Sequence, residues 1–207
     1  VNHSDKLTRL GVLLCINGTG ILYSWLKKFA GTGITYPRMN EMSASVKPGS
    51  DGLMILPFGN GAERMLQNKD IAASLSGLNF NTHGQGHLFR AAQEAIAYSF
   101  RFGLEIMKET GINPKVIRAG EANLFLSKVF RDVLSSLTST VITLYNTDGS
   151  AGAARGAGIG CGFYKSEKEA FGGLKTTGTS EPDKKLAQIY EEKYNAWVDI
   201  LENQIYV

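Results

Sequence analysis

Two stretches about thirty residues apart each join a short apolar run, a break at small residues and a helical restart. They are KVIRAGEANLFLSKVF, Lys115 to Phe130, and NTDGSAGAARGAGIG, Asn146 to Gly160. A strand that stops this way and restarts as a helix leaves backbone N–H groups without intrahelical partners and a positive dipole end. Two such ends aimed at one place can hold the phosphates of a nucleotide. In the first stretch Ala119, Gly120 and Ala122 keep the turn narrow, and Asn123 stands at the expected N-cap. In the second, Gly152, Ala153, Ala154, Gly156, Ala157 and Gly160 make a helix almost without side chains, which lets a flat group or another backbone approach. The pair predicts two walls with a purine and its phosphates between them.

The common nucleotide motifs are absent. There is no GxxxxGK[ST], and the glycines of GAGIG fall inside the predicted helix instead of at the strand-to-helix turn, with no acidic residue suitably placed behind them. The VAIK, HRD and DFG elements of protein kinases are missing as well. Other chemistry-bearing residues read as structural. His83 and His87 are separated by a segment with two glycines, which argues against a helical metal pair and for His87 at the head of a helix. Glu63 with Arg64, and Arg90 with Glu94 at i,i+4 spacing, are candidate ion pairs. Asp148 before Gly149 reads as a turn residue, and no metal ligand set is predicted.

The elements that must position these residues alternate between strand and helix. Arg9 to Ile16 reads as a buried strand, NGTG as a break, and ILYSWLKKF as a helix with Leu22, Leu26 and Phe29 on its inner face. Residues 30–50 read as loop with one helical turn near Met39 to Val46, and Leu53 to Phe58 as a second strand. Arg64 to Gly86 lacks periodicity. Leu88 to Thr110 is the longest predicted helix, stopped by Gly111, with Ala92, Ile96, Phe100, Gly103 and Met107 on one stripe. A strand over Lys115 to Arg118, an amphipathic helix carrying Phe125 to Leu137, a β-branched strand over Thr140 to Leu144 and the bare helix follow. Lys165 to Asp183 reads as a charged linker before a last helix, Asp183 to Gln204, docked by Tyr190, Tyr194 and Trp197.

Composition narrows the class. A chain of 207 residues, 43% hydrophobic, can bury one good core, so one domain is expected. The net charge of +3 comes from 22 basic and 19 acidic residues scattered along the chain, with no basic stripe for nucleic acid. No run of eighteen apolar residues and no signal-peptide pattern is visible. Cys15 and Cys161 form no CxxC pair and read as small buried side chains in a reducing compartment, so a cytoplasmic protein without nucleic-acid or membrane partners is expected.

Four blocks, in order, resemble the C-terminal domain of the FGGY carbohydrate kinases. LPFGNGAER from Leu56 is similar to the family's LPYLSGER block, and ASLSGLNFNTHGQGHLFRAAQE from Ala73 to its second signature, with Gln93 where an apolar residue is usual. AGEANLFLSKVFRDVL is similar to the adenosine block GGGAxSxxWxQxxADVL, and GAARGAGIGCG to GAAxxAxxxxG. Among the family's members the chain looks most like the xylulokinases. The resemblance implies an α/β fold of the actin-like, ribonuclease H-like ATPases, a mixed sheet flanked by helices, with ATP and Mg2+ as cofactors. It implies that residues 1–207 form the ATP-side domain, while a sugar-binding and catalytic N-terminal domain lies outside this chain. A ketopentose would bind mainly to that other domain, and a homodimer is left open. Carried over residue by residue, Gly20 would approach the phosphates at the head of the first helix, with Ala119, Gly120 and Asn123 beside adenosine. The implied activity is phosphoryl transfer to a sugar, with this chain alone expected to be inactive. A non-catalytic nucleotide-binding or assembly module is the alternative use of such a fold.

Overall fold

The computed structural model describes residues 11–205. Its organising element is a 25-residue helix, α3 (Gln85–Glu109), in contact with a helix on either side of it in sequence, with a strand and with the C-terminal helix. Every residue from Phe89 to Ser99 is buried, so the N-terminal half of α3 is enclosed all round instead of presenting one apolar stripe. His87 caps it as the sequence suggests, its Nδ1 accepting the Gly84 N–H at 3.1 Å.

Around α3 stand α1 (Gly18–Phe29), α2 (Tyr36–Ala44), α4 (Lys128–Thr138) and α7 (Lys184–Ile205). The segment expected to be loop therefore contains a nine-residue helix, begun by Thr35, whose hydroxyl accepts the Arg38 N–H, and by Pro37 in the first turn. The strand expected at 9–16 does not form over 11–16, where no described residue offers a ladder; residues 9 and 10 lie outside the described range. On α1 the inner face is Leu22, Tyr23 and Leu26, whereas Phe29 is 70% exposed and stacks on Trp25.

Five strands form two sheets. β1 (Met54–Phe58) pairs antiparallel with β2 (Ala72–Ser76), a strand that its small residues, AASLS, concealed in the sequence. β3 (Val116–Gly120) runs parallel to β4 (Val141–Tyr145), and β5 (Thr176–Ser180) adds antiparallel to the other edge of β4, so this sheet is mixed. The presumed linker thus carries β5 and a short helix, α6 (Glu167–Phe171), in addition to turns. α5 (Gly149–Gly160) is the bare helix. α7 docks through Tyr190, Tyr194 and Trp197, and the Trp197 indole N–H donates to the Ile55 carbonyl of β1 at 2.8 Å.

Two buried charged residues of α3 hold this assembly together. Arg90 and Glu94 pair as their spacing predicts, Nε to Oε1 at 2.8 Å, and both are almost wholly buried. The Glu94 carboxylate also accepts the Gly49 N–H, the Ser50 hydroxyl and the Tyr190 hydroxyl, each at 2.9 Å. Arg90 donates to the Ser43 and Val46 carbonyls and to Tyr190. Burial opposes the charge on Arg90, but Tyr190 and Glu94 outweigh it and hold its pKa above the ordinary value. Burial, reinforced by Glu94, pushes the Tyr190 hydroxyl well up, so it stays protonated and can donate. One carboxylate thereby fixes the end of the 43–50 segment, where Gly49, Ser50, Asp51 and Gly52 all have positive φ, and the docking of α7.

Glu94→Ala leaves the Arg90 guanidinium buried without its anion and should cost about 3–5 kcal/mol, read as a lowered urea midpoint. A loss below 1 kcal/mol would show that the network does not carry the fold.

Candidate functional site

The head of α1 is built by the LPFGNGAER block. Glu63, 0% exposed, turns its carboxylate onto the helix start, accepting the Asn17 N–H at 3.0 Å and the Gly18 N–H at 2.9 Å. It therefore does not pair with Arg64. The Asn17 side chain leaves its own helix uncapped and donates to the Ala62 carbonyl, while Asn60 donates back to the Asn17 carbonyl. A Cβ at Gly18 would overlap the Pro57 carbonyl oxygen, so glycine is required there by the close crossing of α1 over β1. Gly20 differs: a Cβ there meets nothing within 4 Å.

That open side of Gly20 faces a cavity of about 760 Å³ between α1, α2, α3 and the start of α4. Its floor is apolar, from Ile96, Phe100, Phe125 and Phe130, and Leu124 and Leu126 close one flank. Tyr36 and Tyr23 stack with ring centroids 6.0 Å apart and 17° between planes, giving the other flank a flat aromatic face. Ser24, Asn40 and Asn123 supply polar groups, and no lining side chain is charged. A cleft of this size and polarity suits a flat, neutral, drug-sized group with a few fixed hydrogen-bonding positions.

Asn123 lies at the cavity in the left-handed region, φ 53°, where asparagine is tolerated better than most residues. It is not the N-cap of α4. A single 3-10 turn, Asn123–Leu126, precedes that helix, and the Ser127 hydroxyl caps it by accepting the Phe130 N–H. Ala119 and Gly120 end β3 and do not line the cavity; Asn123 follows them by one turn. A Cβ at Gly120 would overlap the Thr147 carbonyl oxygen, so the narrowness of the first opening serves the turn that crosses it before α5. The two openings are neighbours at that point, but only the first reaches the cavity.

The expectation of free helix N-termini converging on phosphates is corrected. Asp148 caps α5, its carboxylate accepting the Ala151 N–H at 2.8 Å and the Ser150 hydroxyl at 2.7 Å, and these bonds lower its pKa. The other opening leads into α4, whose N-terminus the Ser127 hydroxyl caps, and Glu63 compensates α1, so an anion at the head of α1 or α5 would meet a carboxylate already there. No residue of α5 is buried, and Gly152, Gly156 and Gly160 border open space, so this helix does not pack as a wall. Cys15 and Cys161 are exposed, not buried. Nε2 of both His83 and His87 faces Asp51, on its carbonyl and carboxylate oxygens respectively. Among the described residues no group of three or more His, Cys, Asp or Glu is arranged to hold a metal ion. No described helix is long and apolar enough to cross a membrane.

The arrangement of mixed sheet and flanking helices is the actin-like fold. Over 91% of this chain it superposes on xylulose kinase from Rhodospirillum rubrum with a TM-score of 0.73 at 24% identity, covering 39% of that chain. Gluconate kinase from Lactobacillus acidophilus gives a TM-score of 0.72 at 18% identity, over 91% of this chain and 39% of its own. Residues 9–159 match the C-terminal domain of the FGGY family of carbohydrate kinases, and the chain belongs to that family. Xylulose kinase of Lactococcus lactis is 29% identical over 203 residues, 94% of this chain and 39% of the relative. The chain thus spans about 40% of the length of the relatives it matches.

The sequence pointed to Gly20 and Asn123 but missed Ser24, Tyr36 and Asn40. Thr35 followed by Pro37 was the available signal for α2, which presents two of these three.

The two glycines at the head of α1 separate structure from site. Gly18→Ala should destabilise the fold by about 1–3 kcal/mol through overpacking. Gly20→Ala should leave the melting temperature unchanged or slightly higher, since alanine is the better helix former. Equal losses at both positions in thermal melts would contradict this assignment.

Proposed function

We propose that this chain is the ATP-side domain of a sugar kinase and that its cavity receives the adenosine end of ATP. The observation that carries the reading is the meeting of Gly20 and Asn123 in one cavity lined by no charged side chain. These two residues are 103 positions apart in the sequence, and the family resemblance points to each of them separately. The aromatic face of Tyr36 and the amides of Asn40 and Asn123 suit a purine. The lack of charge suits the neutral nucleoside and not the triphosphate.

Phosphoryl transfer depends on positioning and on neutralising the charge that builds on the transferred group. A divalent cation such as Mg2+ would supply that neutralisation when bound with the nucleotide. The part played by this chain is binding and orientation: it seats adenosine and points the phosphates out of the cavity past Gly20. Closure against a sugar-bearing domain would complete the clamp and exclude water. A ketopentose such as D-xylulose is the proposed acceptor, supported by likeness to xylulose kinases, and the transfer is proposed to take place in a cytoplasmic protein. The chain alone should turn over no sugar, since the sugar-bearing half of the clamp is contributed by the proposed second domain.

Two measurements check the reading. Adenosine added to the 15N-labelled chain should move the backbone amide signals of Gly20 and Asn123, while D-xylulose should move neither. Full-length protein offered ATP and a panel of ketoses and polyols should phosphorylate D-xylulose best. No turnover on any member of the panel would remove the kinase reading, and shifts confined to other surfaces would remove the cavity assignment.

A further inference from the structure

Asn40 carries no motif, yet hydrogen bonds from behind the cavity determine its side chain. The determination starts at the cap of α4. The Phe130 N–H donates to the Ser127 hydroxyl, so the hydroxyl hydrogen goes to the other neighbour, Gln93 Oε1, 2.6 Å away. That bond sets the Gln93 amide with its nitrogen on the opposite side, where the two hydrogens of Nε2 meet three acceptors, the Tyr23 hydroxyl at 2.7 Å and Asn40 Oδ1 and Ser43 Oγ at 3.2 Å, so that one hydrogen is shared. The Tyr23 hydroxyl, accepting from Gln93, donates its own hydrogen to Asn40 Oδ1 at 2.9 Å. Burial raises the pKa of Tyr23, which keeps that hydrogen in place. With its oxygen held by two donors, the Asn40 amide has one orientation.

Its Nδ2 is the end left over. No described residue accepts from it, and every fully buried side-chain nitrogen or oxygen among the described residues has a partner, so this NH2 is open to the space Asn40 lines. Gln93 is 0% exposed, so the relay behind Asn40 is sealed from solvent. An apolar side chain at 93 would leave Asn40 free to turn either end toward the cavity.

We propose that Asn40 reads the nucleobase: its Nδ2 donates to an unprotonated ring nitrogen of adenine, and the Ser127–Gln93–Tyr23 relay fixes which end of the amide is presented. Asn40 is thus a specificity residue, and Gln93 is a positioning residue behind it. The inference rests on the nucleoside reading of the cavity.

The test is titration of the chain with adenosine and with 1-, 3- and 7-deazaadenosine, each lacking one ring acceptor. One of the three should bind about fivefold to tenfold more weakly than adenosine, the effect of one hydrogen bond. Asn40→Asp keeps an oxygen for Tyr23 and Gln93 but has no donor for the base. It should bind adenosine as weakly as the parent binds that analogue, and should no longer distinguish the two. In the unmodified chain, the Asn40 side-chain 15N signal should move with adenosine and stay still with the same analogue. Equal binding of all three analogues, or discrimination retained in Asn40→Asp, overturns the proposal while Gly20 and Asn123 shifts preserve the cavity reading. Failure of adenosine to bind the unmodified chain overturns both.

Discussion

A buried row of polar side chains on one helix, Arg90, Gln93 and Glu94, is the constraint from which the rest of the molecule follows. Such groups are costly to desolvate and are tolerated only where every hydrogen-bonding position is met. Here they are met from five neighbouring elements: the 43–50 segment and α7 close on Arg90 and Glu94, while α1, α2 and the cap of α4 close on Gln93. The two systems lie side by side on α3 and divide the work. Arg90 and Glu94 place the frame, and Gln93 places the elements that enclose the cavity. An apolar row would pack equally well without dictating which neighbour sits where, since apolar contact has no direction.

The head of α1 illustrates how electrostatics limits what the cavity can accept. A helix N-terminus is ordinarily an invitation to phosphate. In this chain the invitation at α1 is answered by Glu63 and at α5 by Asp148, both from within the protein. What remains around Gly20 is an uncharged recess with aromatic and amide groups. On the proposed reading, recognition of a base and neutralisation of the nucleotide's phosphates are separate tasks, and this uncharged recess suits the first.

Much of this was legible in the sequence because the signals were local and periodic. The long central helix, the amphipathic α4, the parallel strands β3 and β4 and the docking face Tyr190, Tyr194 and Trp197 all follow from apolar spacing. The ion pair of Arg90 and Glu94 followed from i,i+4 geometry. Other features were hidden because their causes are tertiary. β2 and β5 consist of small or hydroxylated residues, AASLS and TTGTS, that become strands only because β1 and β4 offer them an edge. Glu63 reaches the head of α1 across 45 residues, so no local pattern marks it as a cap. Asn123 looked like a cap because it precedes an apolar run, but the 3-10 turn moved that role to Ser127 and released Asn123 to the cavity. Half of the expected site lines that cavity, Gly20 and Asn123; the aromatic and amide side of it comes from α2, a helix that composition had assigned to loop.

The central claim is that the cavity takes the neutral end of a nucleotide and leaves its charge to be held elsewhere. The most direct test compares the affinity of this chain for adenosine and for ATP across a range of salt concentrations. The account predicts affinities within about threefold of each other and little change with salt, because no charged side chain lines the site. ATP binding tenfold or more tighter than adenosine, and weakened by salt, would show a phosphate site within the chain and contradict it.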